Sequence, residues 1–155
     1  MSLLQTNLVE RALNHPTVVA VLKRTVPPLD RFLLRWSRGW LNTAMQSVML
    51  LETTGAKSGQ RRQIATLCMP VGMDLVVVGS NWGQVKDPAW AHNLRANPQP
   101  RIRFRGYVGP VQARELAAEQ RAELWQQLIK FNPQYVHYQE NTDRTLPVFL
   151  LSRDS

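Results

Sequence analysis

The sequence predicts an α+β fold, mainly antiparallel β, in which six or seven short strands close a small barrel and helices flank its openings. Three observations carry that expectation. Hydrophobic periodicity changes from helical to strand-like at Ser47. Glycine-bearing turns then punctuate the chain at short intervals. The element order after that point, with helices only between groups of strands, lacks the regular β-α-β alternation of a doubly wound parallel sheet. With 155 residues, the chain divides into an N-terminal helical segment, 1–46, and one domain, 47–155.

Each element has a local cause. Residues 8–24 read as a helix interrupted at His15-Pro16 and stopped by Pro27-Pro28. Leu29, Phe32, Leu33, Trp36 and Trp40 then form one apolar stripe, with Arg31, Arg35 and Arg38 opposite. Such a helix packs on its own domain, covers a ligand groove, or lies on an acidic membrane surface. Residues 48–53 and 62–70 read as strands joined by the turn 54–60. Gly72-Met73-Asp74 makes a turn into 75–79, an uninterrupted apolar run suited to a buried strand. Asp87-Pro88 reads as a helix start, Asp as cap and Pro at the first position, with the helix ending at Asn97 before Pro98. Strands 101–104 and 108–114 meet around Gly106. A helix at 118–131 places Ala122, Trp125, Leu128 and Ile129 on one face, and 147–151 is the last strand.

Composition narrows the chemistry. Hydrophobic residues make up 44% and charged residues 19%, which is globular rather than disordered, and no apolar run approaches a membrane span. Cys68 is the only cysteine, so an internal disulfide and a cysteine-based metal site are excluded. Together with the lack of a secretory start, this predicts a cytoplasmic protein. A net charge of +8 implies an anionic partner: nucleic acid, acidic lipid or a phosphorylated small molecule. No nucleic-acid motif is present, so no nucleic-acid partner is expected. His15, His92 and His137 have no metal-ligand spacing, and no metal is assigned.

Three later segments concentrate the chemistry. Gly55-Ala56-Lys57-Ser58-Gly59-Gln60-Arg61-Arg62 gathers three cations and two glycines. It is not a P-loop, because the Lys-Ser pair precedes the second glycine and a strand follows. Turn amides with Lys57, Ser58 and Arg62 form either an anion cradle or a solvated hairpin tip. Ser80-Asn81-Trp82-Gly83-Gln84-Val85-Lys86-Asp87-Pro88 leaves a buried strand and enters a helix, a place that favours ligands. Ser80 and Asn81 offer neutral hydrogen bonds there, and Lys86 a charge. Asn132-Pro133-Gln134-Tyr135-Val136-His137-Tyr138 clusters aromatic and titratable groups. Its tyrosines either flank a planar substrate and donate a proton, or pack with bodies buried and hydroxyls wet.

In their order, TTGAKSGQRR, GSNWGQVKDPAWAHNLRANP and NPQYVHYQENTDRTLPVFLL resemble the deazaflavin-dependent nitroreductases over about residues 50–151. That resemblance implies a split β-barrel related to flavin reductases and a reduced deazaflavin cofactor, coenzyme F420. Hydride passes from it to a nitroaromatic, quinone or enone-type acceptor. It implies that Lys57 and Arg62 bind the cofactor's phosphate side and that Ser80, Asn81 and Gly83 lie along it. It implies that Trp90, Asn93, Tyr135 and Tyr138 border the substrate, the tyrosines being the catalytic candidates. It leaves a homodimer open, since flavin-reductase barrels often pair. On the residues alone, two other readings stand: an FMN-binding reductase on the same barrel, and a non-enzymatic protein that binds acidic lipid through the N-terminal helix.

Overall fold

The computed structural model describes residues 47–153. The helical readings at 8–24 and 29–40, and with them the groove-covering and membrane alternatives, lie outside the described residues. The chain enters as β1 (Val48–Thr54) and returns as β2 (Arg61–Leu67), antiparallel, with Val48 opposite Leu67 and Thr54 opposite Arg61. Beyond Cys68 it continues as β3 (Met69–Val71), turns, and comes back as β4 (Asp74–Val78). A 3-10 turn, Asn81–Gly83, precedes α1 (Ala89–Ala96). Strands β5 (Arg101–Phe104) and β6 (Tyr107–Pro110) form a hairpin, and beyond Val111 the chain runs on as β7 (Gln112–Glu115). Helices α2 (Ala118–Phe131) and α3 (Gln134–Glu140) lead to β8 (Val148–Ser152).

Two four-stranded antiparallel sheets result, in the orders β2-β1-β5-β6 and β3-β4-β8-β7. They share two corners. At Cys68 and at Val111, both enclosed, the chain leaves the first sheet and joins the second. Each corner is pinned through its amide: Cys68 donates to the Ser47 carbonyl and Val111 to that of Pro100, both at 2.9 Å. The runs expected as single strands at 62–70 and 108–114 are therefore two strands each. Eight strands stand among the described residues, where six or seven were expected.

Alternation along the strands explains the core. Met49 and Leu51, Leu75 and Val77, Ile102 and Phe104, and Phe149 and Leu151 meet between the sheets, joined by Trp90, Ala91 and Leu94 of α1. Val76, Val78 and Val148, on the opposite face of the second sheet, pack with Leu128 of α2 and Tyr135 of α3. A sheet covered on both faces needs apolar residues at every position, which is why β4 reads without alternation. Burying each such Leu, Val or Phe contributes about 1.5–3 kcal/mol.

Three local expectations are corrected. Asp87 does not cap α1, which begins at Ala89 with Pro88 at the cap position and no side-chain cap bond. Its carboxylate instead accepts hydrogen bonds from Arg144 Nη1 at 2.7 Å and Arg95 Nη1 at 2.9 Å. Two charge-assisted bonds outcompete one bond to a helix amide. Ala122 is exposed, and the apolar side of α2 runs through Leu124, Trp125, Leu128 and Phe131. Residues 134–140, read only as an aromatic cluster, form the helix α3.

Candidate active site

The β1–β2 turn is closed by its own backbone. Gly55 donates to the Gln60 carbonyl at 2.7 Å and Gly59 to that of Gly55 at 2.9 Å. Gly59 takes a φ of +67°, in the left-handed region, and a Cβ on Gly55 would collide with the Ser58 hydroxyl. That hydroxyl accepts from the Gln60 amide at 3.2 Å, so Ser58 shapes the turn. Asn93 of α1 braces it from below. Its Oδ1 accepts from the Ala56 amide at 2.9 Å, and its Nδ2 donates to Thr53 Oγ1 at 3.0 Å. Among the described residues, Asn93 and Thr53 are the buried polar ones, each hydrogen-bonded to the other. Lys57 and Arg62 are exposed, and Arg62 lies opposite Thr53 in the register, on the face turned to α1. Among the described residues, the amides of Lys57 and Ser58 make no hydrogen bond.

The second loop, 79–87, joins β4 to α1 and is drawn into shape by one guanidinium. Arg144 donates to the carbonyls of Gly79 at 3.1 Å, Ser80 at 2.8 Å and Gln84 at 2.9 Å, besides its bond to Asp87. Within the loop, Asn81 and Trp82 take φ values of 44° and 57°, and the Asn81 side chain donates to the Lys86 carbonyl at 2.9 Å. Gly83 is buried with φ +76°, and a Cβ there would lie 3.0 Å from the backbone of Tyr138. The loop therefore rests directly on α3.

On α3, Tyr135 and Tyr138 stand three apart and share a face. The Trp82 ring meets Tyr138 edge-on at 6.1 Å, Tyr138 meets Tyr135 at 6.4 Å, and Tyr135 stacks with Trp125 at 6.5 Å. Arg121 lies 4.2 Å over Trp125 at the far end. Burial pushes the Tyr135 hydroxyl up to about 12 and raises that of Tyr138 as well. Both stay protonated at neutral pH and can act only as donors or neutral acceptors. Tyr135 is buried, whereas Tyr138 is half-buried with access to solvent.

The structure thus ties the second loop to α3 and, through α1, to the β1–β2 turn. The helix α1 links the two loops, since it starts where the second ends and its Asn93 holds the first. Lys57, Arg62 and Lys86 are exposed and, among the described residues, form no ion pair. Trp90 and Asn93, expected at the substrate, have their side chains committed elsewhere: Trp90 packs in the core against Phe149 at 5.8 Å, and Asn93 underpins the turn. Sequence reasoning missed Arg144 and Thr53. The only signal for Arg144 was its place inside the last motif. Among the described residues, no three His, Cys, Asp or Glu side chains gather to hold a metal, and no helix is long and apolar enough to cross a membrane.

Comparison with solved structures places this arrangement. An F420-H2 dependent reductase superposes with a TM-score of 0.63 at 36% identity, covering 68% of this chain and 94% of the other. A structure described as a domain-swapped dimer gives 0.63 at 34%, covering 68% and 80%. A heme storage protein of Vibrio cholerae, 12% identical with a TM-score of 0.52, shares the fold alone, over 82% of this chain and 91% of its own. Fold and comparisons define a small oxidoreductase on a flavin-reductase-like scaffold.

The sequence comparisons are narrower. An F420H(2)-dependent quinone reductase of Mycobacterium tuberculosis is 37% identical over 111 residues, covering 68% of this chain and 72% of that protein. The family model for F420H(2)-dependent quinone reductase matches residues 34–153, and the chain belongs to that family. Its cofactor is coenzyme F420, which sets aside the FMN and lipid-binding readings as primary functions. The donor set suits this group: exposed cations without ion pairs and open turn amides at a glycine-bounded hairpin match an anionic arm.

Proposed function

We propose that this chain reduces a small quinone-type acceptor, with nitroaromatic and enone compounds as further acceptors, and that Lys57 and Arg62 hold the anionic arm of F420. The supporting observation is that three exposed cations, Lys57 on the β1–β2 turn, Arg62 at the start of β2 and Lys86 on the β4–α1 loop, have no ion pair among the described residues. Two other arginines nearby, Arg95 outside the site and Arg144 behind the loop, are paired. Arg62 forms the fork that a phosphate accepts, Lys57 supplies a point charge, and the turn amides add directed donors. Ser80, Asn81 and Gly83 line the cofactor from the second loop, and Lys86 adds charge at its edge.

When bound, reduced F420 supplies the hydride; the chain supplies orientation and electrostatics. Tyr138 is placed to donate a hydrogen bond to the acceptor oxygen as negative charge develops there, and its raised pKa keeps that proton in place at neutral pH. Tyr135, buried against it, holds the Tyr138 ring in orientation and backs the site with an apolar wall. Trp82, edge-on to Tyr138, covers part of the same ring from the loop side. The domain-swapped relative supports a homodimer in solution; light scattering that gives a monomer at all concentrations would remove that part of the proposal.

The deciding experiment titrates wild type, Lys57→Ala and Arg62→Ala with F420 at fixed salt, beside FMN as a control. A charge-assisted phosphate contact is worth about 1.5–3 kcal/mol, roughly 10- to 150-fold in affinity. Arg62→Ala should lose more than Lys57→Ala. Undiminished affinity in two folded variants returns the turn to a solvated hairpin tip.

A further inference from the structure

Arg144 lies outside every role assigned so far, yet no other side chain among the described residues reaches so many parts of the site. Its guanidinium, only 15% exposed, is bound by the carbonyls of Gly79, Ser80 and Gln84 and by the Asp87 carboxylate at 2.7–3.1 Å. Its own carbonyl accepts from Gln139 Nε2 of α3 at 2.7 Å. One residue thus ties the β4–α1 loop to the helix that carries Tyr135 and Tyr138. Between its anchor points stand Asn81 and Trp82, two consecutive non-glycine residues in left-handed conformation. Such residues persist only where surrounding contacts over-determine them. The four acceptors of Arg144 bracket this pair, two on each side.

We propose that Arg144 is the positioning residue of the cofactor loop: it holds 79–87 in the one shape that sets Trp82 against Tyr138 and lays Ser80 and Gly83 along the cofactor. The proposal rests on the reading of this loop as part of the F420 site. Arg144 touches no reacting group and acts through the loop. A lysine cannot replace it, because one ammonium has three donors on a single atom whereas the acceptors here are spread around a planar fork. Arg95 provides the contrast. It shares Asp87 with Arg144 and forks onto Glu115 at 2.7 and 2.8 Å, but it bonds to no loop carbonyl.

The test uses the full chain without cofactor first. Amide exchange is followed at Gly83 and Gln84, whose N–H groups donate to Ser80 and Asn81, alongside iodide quenching of tryptophan emission with Trp82→Phe as reference. In Arg144→Lys and Arg144→Ala, protection of those two amides should fall about tenfold or more while β4 and β8 amides hold theirs. Arg95→Gln, which also breaks an Asp87 ion pair, should change it less than about twofold. Methylguanidinium should restore protection to Arg144→Ala. F420 affinity should then fall at least about tenfold in both Arg144 variants and stay within about twofold in Arg95→Gln. Unchanged loop exchange in a folded Arg144→Lys, or equal losses in Arg95→Gln, overturns the proposal. Failure of wild type to bind F420 would instead sink the cofactor assignment, and the exchange data would still judge the clamp.

Discussion

The two loops joined through α1 hold their shape in opposite ways. The β1–β2 turn keeps Lys57 exposed and unpaired among the described residues, and takes its shape from backbone bonds and one neutral side chain, Asn93. The β4–α1 loop leaves Lys86 exposed but takes its shape from charge turned inward, where Asp87 sits between Arg144 and Arg95 and loop carbonyls fill the remaining donors of Arg144. An exposed ion pair is worth only about 0–1 kcal/mol. The enclosed, multiply bonded guanidinium of Arg144 is a different object, because removing it strands several acceptors at once. Charge left open at the turn is available to a ligand; charge satisfied internally in the loop fixes shape.

Two glycines break this comparison most directly. Gly83 and Gly59 both have positive φ, but a Cβ at Gly83 meets the Tyr138 backbone at 3.0 Å, whereas nothing lies within 4 Å of one at Gly59. Gly83→Ala should therefore cost about 3 kcal/mol or more, backbone strain plus overpacking, in denaturant unfolding. Asn93→Ala comes next, at about 2 kcal/mol, since it leaves the Ala56 amide and the buried Thr53 hydroxyl without their partner. It should also loosen the turn enough to weaken F420 binding, which calorimetry would detect. Gly59→Ala should cost only about 1 kcal/mol, the left-handed penalty alone. Equal losses at Gly59 and Gly83 would mean that the second loop is not pressed onto α3.

The smallest effect concerns pH. Burial raises the Cys68 thiol from 9.0 to about 12 and the Tyr135 hydroxyl from 10.0 to about 12. The folded state thus prefers the protonated forms, so their contribution to stability is full below the unfolded pKa and is lost as pH rises toward the folded one. Unfolding midpoints should be insensitive to these groups up to about pH 8.5 and fall above about pH 9 to 10. Cys68 should resist alkylation in the folded protein at about pH 8 and react once unfolded. Rapid labelling without unfolding would show that the corner at Cys68 opens.

Much of this arrangement is legible in the sequence, and the exceptions share a cause. The glycine-bounded turn, the buried run of β4 and the helix of α2 follow from local rules, and 118–131 matches to the residue. The two corners do not, because the chain stays apolar through Cys68 and keeps its alternation through Val111, and neither of these two is a turn residue. Asp87 before Pro88 carries a strong capping signal, and only the approach of Arg144, 57 positions away, diverts it. Trp90 and Asn93 sit in the expected motif, yet which face of α1 meets the core depends on Phe149 and Thr53, which sequence cannot juxtapose. Tyr135 and Tyr138 were legible as a pair of residues but not as a helical face, since seven residues after a proline make a weak helix signal.

The reach of Arg144 has a bearing on how the protein is made. It closes onto carbonyls 60 to 65 positions earlier in the chain, and β8, which follows it, is the strand that fills the place between β4 and β7. During translation, β1 to α1 emerge with their loop still unclamped and the second sheet still split. The clamp on the loop is thus set by a residue translated well after the residues it holds. A chain released before Arg144 has Lys57, Arg62 and Lys86 but neither a closed second sheet nor a clamped loop, and quality control meets it as unfinished protein rather than as an enzyme awaiting its cofactor.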